Sequence, residues 1–447
     1  MFHQRLALLL GVTACLASAE IRSLTLPQTL EIAARQNPDV ALARLDYQRS
    51  VEGISVAQDP FRPKVYGGSG LAYTYGYPNS IDGNAPSLFQ VKTNMALYNR
   101  PKSYEIAVAR ENARGSQDGA QAKAEEVAYQ AADLFLTASQ MEHQSEILSG
   151  QLPSLQKVVQ STAAGVTEGS ELPLELKRAR VNLALSEQRR TAARLDADYY
   201  EMMLSVVLGY QPTDRVKPIA SELPSLSSPP SEDEAADAAM RNNKELRQMQ
   251  SNVLAKQLEL RSYKAARLPQ VDLVAQYSLF AKHNYEQYFQ KFQRNSAQLG
   301  ASITIPILVG TATKGLAAQA FTDMQKIRIQ MDQVRNRILT DTRRTYEQWQ
   351  KAQSIRELSR MQLDLAREEL TVLLAQNGEG RVSLNRVEQA RVEEADRWLS
   401  FYDSGLQELR ARLAILRQTG NLLASVRAGQ PAGTSESNPV AEPRREP

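Results

Sequence analysis

Glu31–Ala43 reads EIAARQNPDVALA, and Asp237–Met249 reads DAAMRNNKELRQM. Asn37 in the first stretch returns as Asn243 in the second, and Pro63 further on returns as Pro269, each after about 206 residues. A second pair follows: Gly169–Val181 (GSELPLELKRARV) answers Gly380–Val392 (GRVSLNRVEQARV), here after about 211 residues. A period this long is too large for a solenoid of small units. It marks a duplicated module in which each copy runs helix, strand pair, very long helix, turn, helix.

The strand pairs show in the period-two pattern. Val65, Leu71, Tyr73, Tyr75 and Tyr77 alternate with Lys64, Gly68, Gly70, Thr74 and Gly76. Phe89, Val91, Met95 and Leu97 alternate with Gln90, Lys92 and Asn94. Val271, Leu273, Ala275, Tyr277 and Leu279 alternate with Asp272, Gln276 and Ser278, and Phe280 breaks the rule. Leu299, Ala301, Ile303, Ile305 and Ile307 alternate with Gln298, Ser302 and Thr304. The strands predicted are 64–77, 88–98, 270–281 and 296–308. Segments of about 10 to 14 residues suit tilted strands that cross a bilayer, and tyrosines suit its interfaces. A soluble sheet with one wet face would show the same alternation. Export of the chain, and helices too Ala-rich to cover a broad apolar face, favour lipid. Four strands cannot close, and open edges are not tolerated in lipid, so several chains must join. Two copies give eight strands and a filled interior; three give twelve and an aqueous lumen.

Between the strand pairs lie helical stretches with few breakers, about Tyr104 to Thr162 (with Pro153) and about Thr313 to Gln376. At 1.5 Å per residue they reach roughly 90 to 100 Å, the scale of coiled coils and tubes. Apolar residues recur at three and four, as in Val127, Ala131, Leu134, Phe135 and Ala138, or Leu358, Met361, Leu365 and Leu370. A simple two-stranded coiled coil would place Leu at nearly every seam position, which this chain does not. Gly165 and Gly169, and Gly378 and Gly380, mark helix stops. Return helices are expected over Leu174–Leu208 and Leu384–Leu423, so each copy ends in a helical hairpin.

At the N-terminus Arg5 precedes the apolar run LALLLGVTACLA, and Ala17-Ser18-Ala19 forms a small-residue cleavage site. Val12–Cys15 also fits a lipoprotein box in which Cys15 is acylated. The expected layout is a signal over 1–19 (ending before Cys15 in the lipoprotein alternative), a first repeat over 20–208, a Pro/Ser-rich linker over 209–230, a second repeat over 231–424, and a disordered tail over 425–447. The mature body has no disulfide, because Cys15 is the sole cysteine of the 447 residues. Net charge is +3 with both signs interspersed, so no basic nucleic-acid face is formed. His3, His143 and His283 are too scattered for a metal site, and Trp349 and Trp398 read as helix packing. No phosphate loop, nucleophile triad or paired-carboxylate motif appears in context, so no enzyme and no cofactor is expected.

Taken in order, LTLPQTLEIAARQNPDV, AQDPFRPKV, KAARLPQVDL, ITIPILVG and GRVSLNRVEQARV make the chain resemble the TolC family of outer-membrane efflux proteins, from Leu24 to about Leu423. The resemblance implies a mainly α fold with a membrane β-barrel portion: a homotrimer with a twelve-stranded barrel in outer-membrane lipid and a helical periplasmic tunnel. It implies a passive conduit of a tripartite efflux or type I secretion system, opened at its periplasmic tip by a periplasmic adaptor (a membrane fusion protein) and an inner-membrane pump. Adaptor contact then maps to the hairpin turns: Gly165, Gly169 and Ser170, and Gly378, Gly380 and Arg381. The family's constriction carboxylates stand six and nine positions after the second tip glycine, where this chain has Arg386 and Gln389. Glu175 and Arg178 hold the matching places in the first copy. A positive ring there would favour anions over cations. Glu168, Glu175, Glu379, Arg381, Arg386 and Glu388 are candidates for inter-helix ion pairs holding the tip shut. The rival expectation is a periplasmic coiled-coil adaptor or structural protein of an envelope complex. An adaptor would carry one hairpin rather than two.

Overall fold

The computed structural model describes residues 21–70, 86–219, 231–281, 293–307 and 309–428. The expected signal, Cys15, strand residues Leu71, Tyr73, Tyr75 and Tyr77, and most of the tail lie outside the described residues. The first repeat runs β1 (Ile21–Leu24), α1 (Leu26–Gln36), α2 (Pro38–Gln58), β2 (Lys64–Gly70), β3 (Ser87–Tyr98), α3 (Arg100–Thr167) and α4 (Pro173–Val207). After β4 (Arg215–Pro218), the second repeat runs α5 (Glu232–Asn242), α6 (Lys244–Ala265), β5 (Gln270–Phe280), β6 (Asn295–Thr304), α7 (Thr311–Gly378), α8 (Leu384–Gln418) and α9 (Leu422–Ala428). The two copies match closely in length. α3 and α7 each have 68 residues, and α4 and α8 each have 35. A 68-residue helix is about 100 Å long. Pro153 does not end α3.

The repeated asparagine has a structural duty in each copy. Asn37 ends α1 and caps α2, its Oδ1 accepting from the backbone N–H of Asp39 and Val40. Asn243 does the same between α5 and α6, accepting from Leu246. These caps turn the chain between a short helix and a longer one without leaving the first donors unpaired. Asn37 Nδ2 also donates to the Val207 carbonyl at 2.7 Å, tying the start of the repeat to its end.

Four helix ends share one stop geometry. Gly169, Gly209, Gly380 and Gly420 all have φ between 67° and 83°. At each, the glycine N–H and the next N–H reach back to carbonyls three and five residues earlier, as in Ser170 to Gly165 (2.8 Å) and Arg381 to Gln376 (2.9 Å). This is the Schellman arrangement. Gly165 and Gly378, expected to share this duty, lie inside α3 and at the last residue of α7, without a positive φ. The helix expected over Leu384–Leu423 is likewise divided at Gly420, giving α8 and α9. The strand expected to reach residue 308 stops at Thr304, because Pro306 has no N–H for a ladder. The segment read as a linker contains β4, which pairs in parallel with β1.

The long helices lie in one layer. Toward the hairpin turns the neighbours run α4–α3–α8–α7; toward the strands they run α2–α3–α6–α7. Where the two zones meet, the main core joins both repeats: Leu26 and Leu30 of α1, Val127 and Phe135 of α3, Leu204 of α4, Leu413 of α8 and Leu422 of α9 are buried together. Gly115 and Gly119 let α3 approach α6, where a Cβ at Gly119 would lie 2.9 Å from the Gln248 side chain.

Gly209 and Gly420 stand 2.8 and 2.9 Å, from the place of a Cβ, to the Gln36 and Asn242 carbonyl oxygens. Strained φ and backbone contact act together there. Gly209→Ala and Gly420→Ala are each expected to cost about 1–3 kcal/mol, read as a lowered thermal midpoint by circular dichroism. Gly53→Ala, in open space inside α2, should not lower it.

Candidate functional site: the strand face and the hairpin turns

The four long strands form one antiparallel sheet, ordered β2-β3-β5-β6. Residues directly opposite in such a sheet share a face. Val91 faces Tyr277 and Met95 faces Leu273; Leu273 faces Ala301, Val271 faces Ile303, and Ala275 faces Leu299. The odd positions of three strands thus merge into one apolar face, and Val65 of β2 joins it opposite Thr93. The other face holds the rows Lys92–Gln276–Gln298 and Gln90–Ser278–Ser296. Leu299 and Ile303 are 79% and 66% exposed. Among the described residues no helix lays its length against this sheet. Among the described residues β2 and β6 each have a partner on one side alone.

Strict alternation fails at the ends of β3. The register slips between Ala96 and Tyr98, so Tyr98 and not Leu97 stands opposite Val271. A bulge adds one residue and moves the next side chain to the other face. Leu97, read as part of the apolar row, is that extra residue. A second slip between Ser87 and Phe89 sets Leu88 aside in the same way.

At the far end, α3 and α4 join through 168–172, and α7 and α8 through 379–383. The expected inter-helix ion pairs are mostly local. Glu175 pairs with Arg178 one turn along α4 at 2.7 Å, and Glu379 with Arg381 inside the turn at 3.1 Å. Short spacing along one helix or turn satisfies these charges without a second helix. Glu388 is the exception. It is 2% exposed, on α8 but facing α3, with Oε1 3.6 Å from Lys157 Nζ and Oε2 4.0 Å from Arg391 Nε. Arg386, two residues earlier, is exposed, as is Gln389. Gln389 borders a cavity of about 230 Å³ with Gln151, Leu155 and Leu185.

Glu388 belongs to a polar α3–α8 boundary that sequence periodicity did not show. Gln151 Nε2 donates to Asp396 Oδ1 at 2.8 Å, and Asn385 Nδ2 to Thr162 Oγ1 at 3.3 Å. Higher up, Ser139 and the Tyr402 hydroxyl are 3.1 Å apart, the His143 ring lies 4.0 Å from the Tyr402 ring, and Arg410 Nη2 donates to Thr137 at 2.7 Å. Burial raises the Asp403 carboxyl above its ordinary range, while a Gln140 hydrogen bond and Arg410 pull it down. Burial also raises Glu201 on α4, opposed by Lys217 of β4 and reinforced by Glu142 and Asp198.

Residues 235–425 match the family model described as Outer membrane efflux protein. The match lies over the second repeat. The efflux resemblance read from the sequence therefore holds. In sequence, the chain is 21% identical over 333 residues to the outer membrane efflux protein BepC of Brucella suis biovar 1 (strain 1330), covering 74% of this chain and 71% of BepC. In structure, it is similar to CusC, whose structures concern transmembrane channel formation, with a TM-score of 0.72 at 13% identity over 88% of this chain and 91% of that one. It is similar to the outer membrane protein VceC of Vibrio cholerae, with a TM-score of 0.69 at 13% identity over 88% and 96%. The efflux family places the chain in the outer membrane, with the helical body extending into the periplasm. The exposed sheet face is the part of the efflux fold suited to lipid. The described helices include none long and apolar enough to cross a membrane.

The buried carboxyls give a pH prediction. A carboxyl whose folded pKa is raised contributes stability that is full below its unfolded pKa, about 4.3 for Glu, and is lost as pH rises through the folded value. Glu201→Gln should therefore remove part of the stability loss between acid and neutral pH. Denaturant midpoints of both proteins across that range check it; parallel curves would show that Glu201 is solvated.

Proposed function

We propose that the chain is the outer-membrane channel of a tripartite efflux or type I secretion system. Three copies close a twelve-stranded barrel, and their helices continue it as a periplasmic tube. The observation that carries this reading is the sheet: one continuous apolar face, no helix to cover it among the described residues, and two edges without partners. In hydrocarbon every ladder group must be paired, so β2 of one chain must meet β6 of another. Three copies supply twelve strands and a water-filled bore, lined by Lys92, Gln276, Gln298 and their row-mates. The conduit is passive, and the energy comes from a pump.

Adaptor and pump act at the far end. The turns at Gly169–Ser170 and Gly380–Arg381 are exposed and have matched geometry, which suits contact with a partner's helical hairpin. Gly165 admits its turn, since a Cβ there would stand 2.6 Å from Glu171 Cγ, whereas a Cβ at Gly378 would meet nothing within 4 Å. Opening is an iris-like movement of the hairpins, biased by adaptor contacts that are better in the open state. In the closed tube Arg386 rings the constriction with Gln389, while the Glu175–Arg178 pair adds no net charge from the first repeat. Such a ring favours anions over cations.

Detergent-extracted protein should form trimers that conduct in planar bilayers; a monomer without conductance would sink the channel reading. Arg386→Asp should shift the reversal potential under a salt gradient toward cation preference. Unchanged selectivity would remove Arg386 from the constriction.

A further inference from the structure

The two ends of the helical layer differ in charge. At the strand end, the stretches at and beside the four strand–helix joints are 59–64, 99–105, 261–269 and 309–314. Together they hold eight Lys and Arg and two carboxylates, a net +6 in a chain whose total is +3. At the hairpin end, 168–178 and 379–389 hold four cations and five carboxylates, a net −1. The positive charge is therefore concentrated where the helices meet the sheet.

The two carboxylates at the strand end are already engaged. Asp59 pairs with Lys64, and Glu105 with Lys102 at 2.7 Å. Arg62, Arg100, Arg261, Lys264, Arg267 and Lys314 are all exposed, and among the described residues none of them has a carboxylate partner. Arg62 Nη2 donates to the neutral Gln58 side chain at 3.4 Å, and Arg100 lies 5.0 Å from the centre of the Tyr104 ring. Each of the four joints carries at least one of these six cations. α7 adds to the positive field, because its N-cap is Gly310, which offers no side-chain acceptor to the first N–H groups. Tyr98, 47% exposed, ends the apolar row opposite Val271, two residues before Arg100. An aromatic in that place suits the boundary between acyl chains and headgroups.

We propose that these joints form a basic collar that binds the headgroups of anionic phospholipids in the leaflet facing the periplasm. The collar rests on the channel reading, which sets the apolar strand face in lipid. Six exposed like charges repel one another, and a layer of anions beside them offsets the repulsion. A phosphodiester presents two oxygens to a guanidinium fork. A headgroup of net negative charge attracts every collar cation, whereas a choline headgroup brings a cation of its own. The occupant is lipid rather than a soluble anion because the apolar face begins beside the collar.

The test uses full-length protein in a neutral detergent, given phosphatidylglycerol or phosphatidylcholine with the same acyl chains. Phosphatidylglycerol should raise the thermal midpoint by a few degrees more than phosphatidylcholine, and high salt should shrink the difference. Arg62→Gln, Arg100→Gln, Arg267→Gln and Lys314→Gln together should abolish the difference. Arg180→Gln with Arg189→Gln, exposed on α4 far from the strands, should preserve it. Native mass spectrometry of the wild-type protein should show phosphatidylglycerol retained in preference to phosphatidylcholine. A conducting trimer with no preference between the lipids overturns the collar, as does a preference that survives the fourfold substitution. Inorganic phosphate giving the same rise would overturn the lipid assignment. A wild-type protein that is monomeric and non-conducting would instead defeat the channel reading.

Discussion

A backbone N–H or C=O group in hydrocarbon has no water to pair with, and leaving one unpaired costs several kcal/mol. This constraint governs the architecture. The sheet ends at β2 and β6, each with one side of its ladder open. Inside one chain nothing described here closes those edges. A sheet that is apolar on one face and rich in amides and hydroxyls on the other cannot settle in water or in lipid alone. In the proposed trimer it becomes coherent as a sector of a cylinder, with lipid outside, water inside and a neighbour on each edge. The helical layer repeats the problem without lipid, because α4 and α7 end it with apolar stripes instead of open ladders.

Much of this was legible in the sequence because duplication writes each signal twice. The period-two strands, the nearly proline-free helices and the tip glycines follow from backbone rules that act locally. The bulges in β3 left no mark, since Leu97 and Tyr98 are both acceptable on either face. Gly420 looked like a glycine inside a long helix. A signal was present nonetheless: Gly209 and Gly420 are as far apart as Gly169 and Gly380, so a stop at one required a stop at the other. The polar α3–α8 boundary was hidden for another reason. Gln151, Asn385 and Glu388 sit in stretches full of solvated polar residues, and only tertiary packing selects the ones that turn inward.

The two copies have kept their backbone while their chemistry has diverged. α3 and α7 still have equal length, as do α4 and α8, and the turns between them share the same hydrogen bonds. Side chains at matched places differ most where the matched neighbours differ. Asp396 faces Gln151 of its own chain, whereas its counterpart Leu185 is about half exposed beside a cavity it shares with Gln151 and Gln389. Lys157 meets a buried Glu388, whereas the counterpart of Glu388 on α4 is the exposed Lys177.

This divergence has a mechanical consequence. Opening the proposed tube at one end must let some helix boundaries slide while others hold. Hydrogen-bonded boundaries slide at low cost, because water replaces each lost partner. Apolar boundaries do not, since each exposed Å² costs about 25 cal/mol. If chains met through polar faces and repeats through apolar ones, opening would strain the assembly itself. In the hairpin zone the distribution is the reverse: contacts between the repeats there are polar and apolar side chains lie exposed at the borders, while the apolar joint between the repeats is confined to the main core, away from the turns.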